Sequence, residues 1–240
     1  MAYKEFTLGN NLPIKIYKKR TSKSLRLSIT HSGSVKLTIP AWASYKAGLD
    51  FARSKEDWLS KQVPAQNILS DNLPIGKAHH LVFSYSEKST KPASRIAGNK
   101  IVITLPSGYA INDTLVQEVA AKACVRALRS QAEKLLPQRL DYLASKYNFE
   151  YSSVRIKMLK GRWGSCDHQK NIVLNLFLMQ LPWENIDYVL LHELTHTIVL
   201  KHGPDFWSSM ERILPNVKAI KKELRKHKPV VNGTIVQAVA

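Results

Sequence analysis

Between Ile186 and Leu200 the chain reads IDYVLLHELTHTIVL, with only Asp187 and Glu193 formally charged. Wound into an α-helix at about 100° per residue, this segment is apolar round nearly its whole circumference, so it must lie inside a fold. Buried with it are His192, Glu193 and His196, in the pattern H-E-x-x-H. An unpaired carboxylate among apolar side chains is costly, and the flanks YVLL and TIVL supply no partner. A divalent cation removes the conflict. Residues i and i+4 project from one helix face a turn apart, so both imidazoles can bind one ion, and Glu193, about 100° round, can reach a water beside it. Two histidines at this spacing on an exposed helix are more often merely solvated. The apolar flanks set this pair apart.

A catalytic zinc ion takes three protein ligands and keeps a position open. Three of the eight histidines fall between 192 and 202, and His202 is the preferred third ligand. The Gly203-Pro204 step after it ends the helix and lets the chain turn back toward the ion. Glu211, in a helix read over Pro204–Ile213, competes for that position. Asp205 or Glu211 could alternatively orient a ligand's free N–H.

The 240 residues allow one large domain or two modest ones, and 44% hydrophobic with 22% charged residues is the balance of a folded globular chain. Asn171–Trp183, the longest stretch without a charge, contains Gln180 and Pro182 and falls short of the ~18 apolar residues of a membrane span. The N-terminus has no apolar signal core, and Cys124 and Cys166 form no C-x-x-C pair, so a cytoplasmic address is expected. A net charge of +18 favours polyanions, which makes non-specific nucleic-acid contact through a basic surface an expected property.

Alternating runs at Ser24–Ile29 and Ser34–Ile39, joined through Gly33, predict a β-hairpin closed by Pro40, and an amphipathic helix follows over Ser44–Gln62. Strands at His80–Tyr85 and Lys100–Leu105 repeat the order, and SVKLTIP echoes KIVITLP. Glu87–Asn99 reads as an exposed loop. The Ala- and Leu-rich stretch from Thr114 to Lys146 predicts two helices or one bent at Pro137. Ser153–Met158 and Asn171–Phe177 are strand-like and flank a polar turn region in which Gly164 is expected at positive φ. The fold class is α+β, with residues 1–110 as a β-rich N-terminal part, 111–228 as the catalytic domain and 229–240 as a tail.

The block Arg162-Trp163-Gly164-Ser165-Cys166, then NIVLNLFLMQLP, IDYVLLHELTH, His202 and Phe206-Trp207, resembles the YgjP-like metal-dependent hydrolases, relatives of the zincin metallopeptidases. The likeness extends over most of the chain, including the N-terminal hairpin and helix. It departs at Gly203-Pro204, where the family usually has a serine after the third histidine, and in the apolar tail. The resemblance implies a zincin-like catalytic half with a backing helix, an edge strand and the buried HExxH helix. It further implies Zn²⁺ on His192, His196 and His202, Glu193 as general base, and a peptide substrate lying along the edge strand, placed at 171–177. Arg162 or His168 would then serve the oxyanion, and Arg162 could equally be a structural ion pair. The alternatives are a metal-dependent nucleotide phosphohydrolase, disfavoured by the lack of a P-loop or an acidic Mg²⁺ cluster, and a basic nucleic-acid-associated module carrying a hydrolase site, with the net charge as its support.

Overall fold

The computed structural model describes residues 3–9, 13–29, 35–62 and 68–231, which fall into two compact units dividing after Asn67. In the first unit, β1 (Tyr3–Thr7), β2 (Pro13–Lys19), β3 (Arg26–Ile29) and β4 (Val35–Pro40) form a sheet in the order β1-β2-β4-β3. The expected hairpin is the antiparallel β3–β4 pair, whose turn lies outside the described residues. Ile14, Ile16, Val35, Leu37 and Ile39 alternate inward to make the core of this unit. The helical stretch after β4 is two helices, α1 (Tyr45–Arg53) and α2 (Glu56–Gln62). Ser54 ends α1 by turning its hydroxyl back to the Phe51 carbonyl at 2.8 Å, a local bond that competes with continuing the helix.

The second unit opens with β5 (Pro74–Ile75), β6 (His79–Tyr85), β7 (Ala93–Ala97) and β8 (Lys100–Leu105), in the order β5-β6-β8-β7. Strand order and the alternation of antiparallel, parallel and antiparallel pairing match the first sheet, and the echoing segments occupy equivalent strands, β4 and β8. Ala93–Ala97 lies in the stretch read as a loop. It is an edge strand exposed along much of its length, which explains its polar composition. A boundary near residue 110 would separate this sheet from the helix it packs on, α3 (Thr114–Tyr147); the two share one core, so the chain divides at 67 instead.

α3 is a single helix of 34 residues that runs through Pro137. The proline removes one backbone bond, while Leu136 and Leu140, both fully buried, hold the helix on either side of it. Three strands follow, β9 (Ser153–Lys157), β10 (Gly164–Cys166) and β11 (Asn171–Asn175), in the order β10-β11-β9. Asn171–Asn175 is therefore not an edge. It is zipped antiparallel to β10 and parallel to β9, and residues 176–180 continue as a 3-10 turn. The edges are β9 and β10, each with only β11 as a strand neighbour among the described residues, and β10, in the RWGSC block, is the one that lies against Glu193.

α4 (Trp183–His196) is the apolar helix, with its residues from Asn185 to His196 buried apart from Asp187 and His192. Asp187 is held by a bidentate pair from Arg139 on α3, Nε to Oδ1 at 2.7 Å and Nη2 to Oδ2 at 2.6 Å, which fixes the rotation of α4 against its backing helix. α4 stops at His196, earlier than the Leu200 that its apolar pattern suggests; Gly203 instead caps α5 (Pro204–Ile213), with Pro204 in the first turn. α6 (Val217–Leu224) completes the described elements. No helix among the described residues is long and apolar enough to cross a membrane.

Candidate metal centre and cleft

One turn of α4 and the loop after it bring His192, His196 and His202 together, with one ligand atom of each within 4.8 Å of the others. The Nε2 of His202 lies 3.1 Å from that of His196 and 3.0 Å from that of His192. Four ligands at ~2.0–2.1 Å in a tetrahedron stand about 3.3 Å apart, close to this spacing. The His196 Nδ1–H donates to the Val199 carbonyl at 3.0 Å, which leaves its Nε2 a bare acceptor in the neutral ring. His202 Nε2 carries at most one proton, so hydrogen bonds within the trio leave one of the two contacts mispaired. A cation satisfies all three rings. Burial, then the neighbouring His196, His202 and Lys221, drives the His192 pKa down to about 3, which keeps that imidazole neutral with a lone pair to offer. Its Nδ1 is buried without a hydrogen-bond partner.

Phe206, fully buried at the start of α5, floors the trio with ring centroids 4.6 to 4.8 Å from all three imidazoles. Trp207 stacks on His202 at 5.9 Å, and the Lys221 ammonium sits 3.7 Å from the Trp207 ring centroid. Glu211 does not join the trio. It is ion-paired with Lys218 at 2.9 Å, and Asp205 is exposed in the first turn of α5.

Glu193 is 4% exposed, and burial pushes its carboxyl up to about 8, with Arg162 pulling the other way. Gly164 on β10 lies against it. A Cβ there would stand 2.6 Å from Glu193 Oε1 and 2.9 Å from its Cδ and Cγ. The role expected for this glycine, a positive φ, belongs to Gly161 at 76°; Gly164 is needed for close approach of the strand to the acid.

The cleft beside the trio is lined by Arg162, Tyr188 and Glu193 among others. Arg162 makes no ion pair among the described residues, and His168 is exposed on the β10–β11 turn away from the cleft lining. Cys166 is half-buried with its thiol pushed up to about 11, chiefly by burial, so it stays protonated.

Two residues that motif reading passed over position this site. Tyr188 precedes His192 by one turn on α4, so the i, i+4 spacing already placed it on the ligand face. Asn175, fully buried, donates from Nδ2 to the Leu159 and Arg162 carbonyls at 2.9 and 2.8 Å and accepts from the Phe177 N–H at 3.2 Å. It ties the loop carrying Arg162 to β11, and no sequence pattern announces it.

No curated protein matches the chain. Among solved structures, the metallopeptidase zymogen abylysin of Pyrococcus abyssi is 24% identical, with a TM-score of 0.35, covering 38% of this chain and 94% of that one. The zymogen jannalysin of Methanocaldococcus jannaschii is 21% identical, also with a TM-score of 0.35, covering 39% and 96%. The model of the YgjP-like metallopeptidase domain matches residues 23–227, most of the sequence in which the trio, Glu193 and the cleft are built. The chain belongs to the YgjP-like metallopeptidase family.

Proposed function

We propose that this metallopeptidase is zinc-dependent, with His192, His196 and His202 as the ligands and Glu193 as general base. The observation that carries the reading is the convergence of three ring nitrogens that hydrogen bonding alone leaves mispaired. When bound, such an ion acts as a Lewis acid and lowers the pKa of a coordinated water toward ~7. Glu193 takes the proton of the attacking water and returns it to the leaving amine, a role its position one residue after His192 on α4 suits. The substrate backbone adds to the free edge of β10, the strand that Gly164 lets approach Glu193. Arg162, in the cleft lining, is the donor assigned to the developing oxyanion.

The catalytic work belongs to the unit after Asn67, with the sheet β5 to β8 as its scaffold. Two free cysteines support a cytoplasmic address. Non-specific nucleic-acid contact is assigned to the first unit's sheet, where Lys15 and Lys36 lie over Tyr3 and Tyr17; a gel shift abolished at about 0.2 M salt supports it, and a salt-independent one refutes it.

Glu193→Gln tests the central role. Peptide cleavage should fall by at least ~10²-fold with zinc content unchanged, and retained cleavage would remove Glu193 from the mechanism.

A further inference from the structure

The cleft beside the histidine trio has a volume of about 340 Å³, at the small end of the roughly 300–1,000 Å³ usual for ligand sites, so it holds one or two residues of a substrate. Arg162, Lys221, Arg225 and His227 contribute cationic or protonatable groups to its lining, and the only carboxylate there is Glu193, which the proposed chemistry uses. The acids nearest in sequence are engaged elsewhere. Glu211 pairs with Lys218 at 2.9 Å, and Glu223 pairs with Lys226 at 2.6 Å, with His227 further off at 3.9 Å. Among the described residues Arg162, Lys221 and Arg225 pair with no carboxylate.

Lys221 and Arg225 stand four residues apart on α6 and its C-terminal cap, an arrangement in which like charges repel. Their mutual influence is visible in Lys221, whose pKa is lowered by burial and then by Arg225. Three cations without a carboxylate partner line one concave site, Arg162 and Arg225 exposed and Lys221 against the Trp207 ring, and together they favour an anion supplied from outside. The remaining lining, Trp163, Val189 and Leu224 with the Tyr188 ring, is apolar and suits the methylene stem behind an acidic group.

We propose that this cleft is an acid-selective subsite: it takes a carboxylate of the substrate peptide, from a Glu or Asp side chain or from a free C-terminus, next to the bond being cleaved. The inference rests on the peptidase reading above. A nucleoside triphosphate is the weaker fit, because the cleft offers no second carboxylate with which to hold the Mg²⁺ such substrates carry.

The test uses the full zinc-loaded chain and quenched peptides that differ at one position as Glu, Gln or Lys on either side of the scissile bond, each with a free or an amidated C-terminus. The subsite predicts kcat/KM at least ~10-fold higher for Glu than for Gln on one side, with Lys poorest. Affinities of the same peptides for the Glu193→Gln enzyme, read by fluorescence anisotropy, should follow the same order. A preference that vanishes on amidation assigns the terminal carboxylate, and one that survives assigns the side chain; both support the subsite. Arg225→Glu, at an exposed position, should shrink the Glu-over-Gln preference without abolishing cleavage, since Arg162 and Lys221 remain, and an undiminished preference would remove Arg225 from the subsite. Cleavage with no Glu-over-Gln preference overturns the subsite and leaves the peptidase standing. No cleavage of any peptide, with nucleoside triphosphates hydrolysed instead, overturns both.

Discussion

Gly164→Ala separates the geometry of this site from its mere composition. The added methyl would lie 2.6 Å from Glu193 Oε1, about 0.6 Å inside an ordinary carbon–oxygen contact of ~3.2 Å, and 2.9 Å from Cδ and Cγ. The strand cannot readily retreat, because Gly164, Ser165 and Cys166 are registered against Leu174, Val173 and Ile172, of which Leu174 and Ile172 are fully buried. The end of the Glu193 side chain gives way instead, so the change should fall on catalysis more than on folding. A displacement of this size at a general base costs on the order of 10- to 10²-fold in kcat, whereas the stability loss should stay within about 1–2 kcal/mol. The assay is steady-state cleavage of a quenched peptide, with zinc content and thermal unfolding measured on the same preparation. Gly203→Ala is the control, since a Cβ there meets nothing within 4 Å and its φ of −86° is open to any residue. A folded, zinc-replete Gly164→Ala enzyme with undiminished kcat would refute the close-approach argument.

Asn175→Ala strips two part-buried carbonyls and the buried Phe177 N–H of their partner, so it should lower stability by about 1–3 kcal/mol and loosen the loop carrying Arg162; chemical denaturation checks the first effect and peptide kcat the second. Burial raises the Cys124 pKa to about 12. The unfolded thiol ionises first, so the folded state binds more protons between about pH 9 and 12, and stability should fall as pH rises through that window by up to ~1.4 kcal/mol per unit. Cys124→Ala should remove that share of the slope, and an unchanged slope in denaturation between pH 8 and 10.5 would contradict the assignment.

What the sequence made legible was local. Strand runs such as KIVITL and VKLTIP show period-two alternation or tight apolar clustering that only a sheet buries, and β4 and β8 lie where those runs fall. The buried helix carrying H-E-x-x-H was readable from the apolar residues around it, whereas the Gly203-Pro204 step expected to end that helix opens α5 instead, α4 having stopped at His196. Pairing partners were not legible. Asn171–Asn175 reads as a strand, but nothing in its composition says that both its edges are taken, and so the edge proposed for the substrate is β10 rather than this strand. Glycine likewise signals freedom without saying which kind: Gly161 uses it for a positive φ and Gly164 for proximity to an acid. Asn175 and the cationic cleft arise from contacts between segments far apart in the chain, which periodicity cannot report.

The most direct measurement is the metal content of the native chain, purified without chelator, alongside His202→Ala. The account predicts about one equivalent of zinc in the native protein, lost or greatly weakened in a folded His202→Ala variant. A native protein that carries no transition metal and takes up none on titration would contradict it, because the three converging imidazoles would then need some other partner.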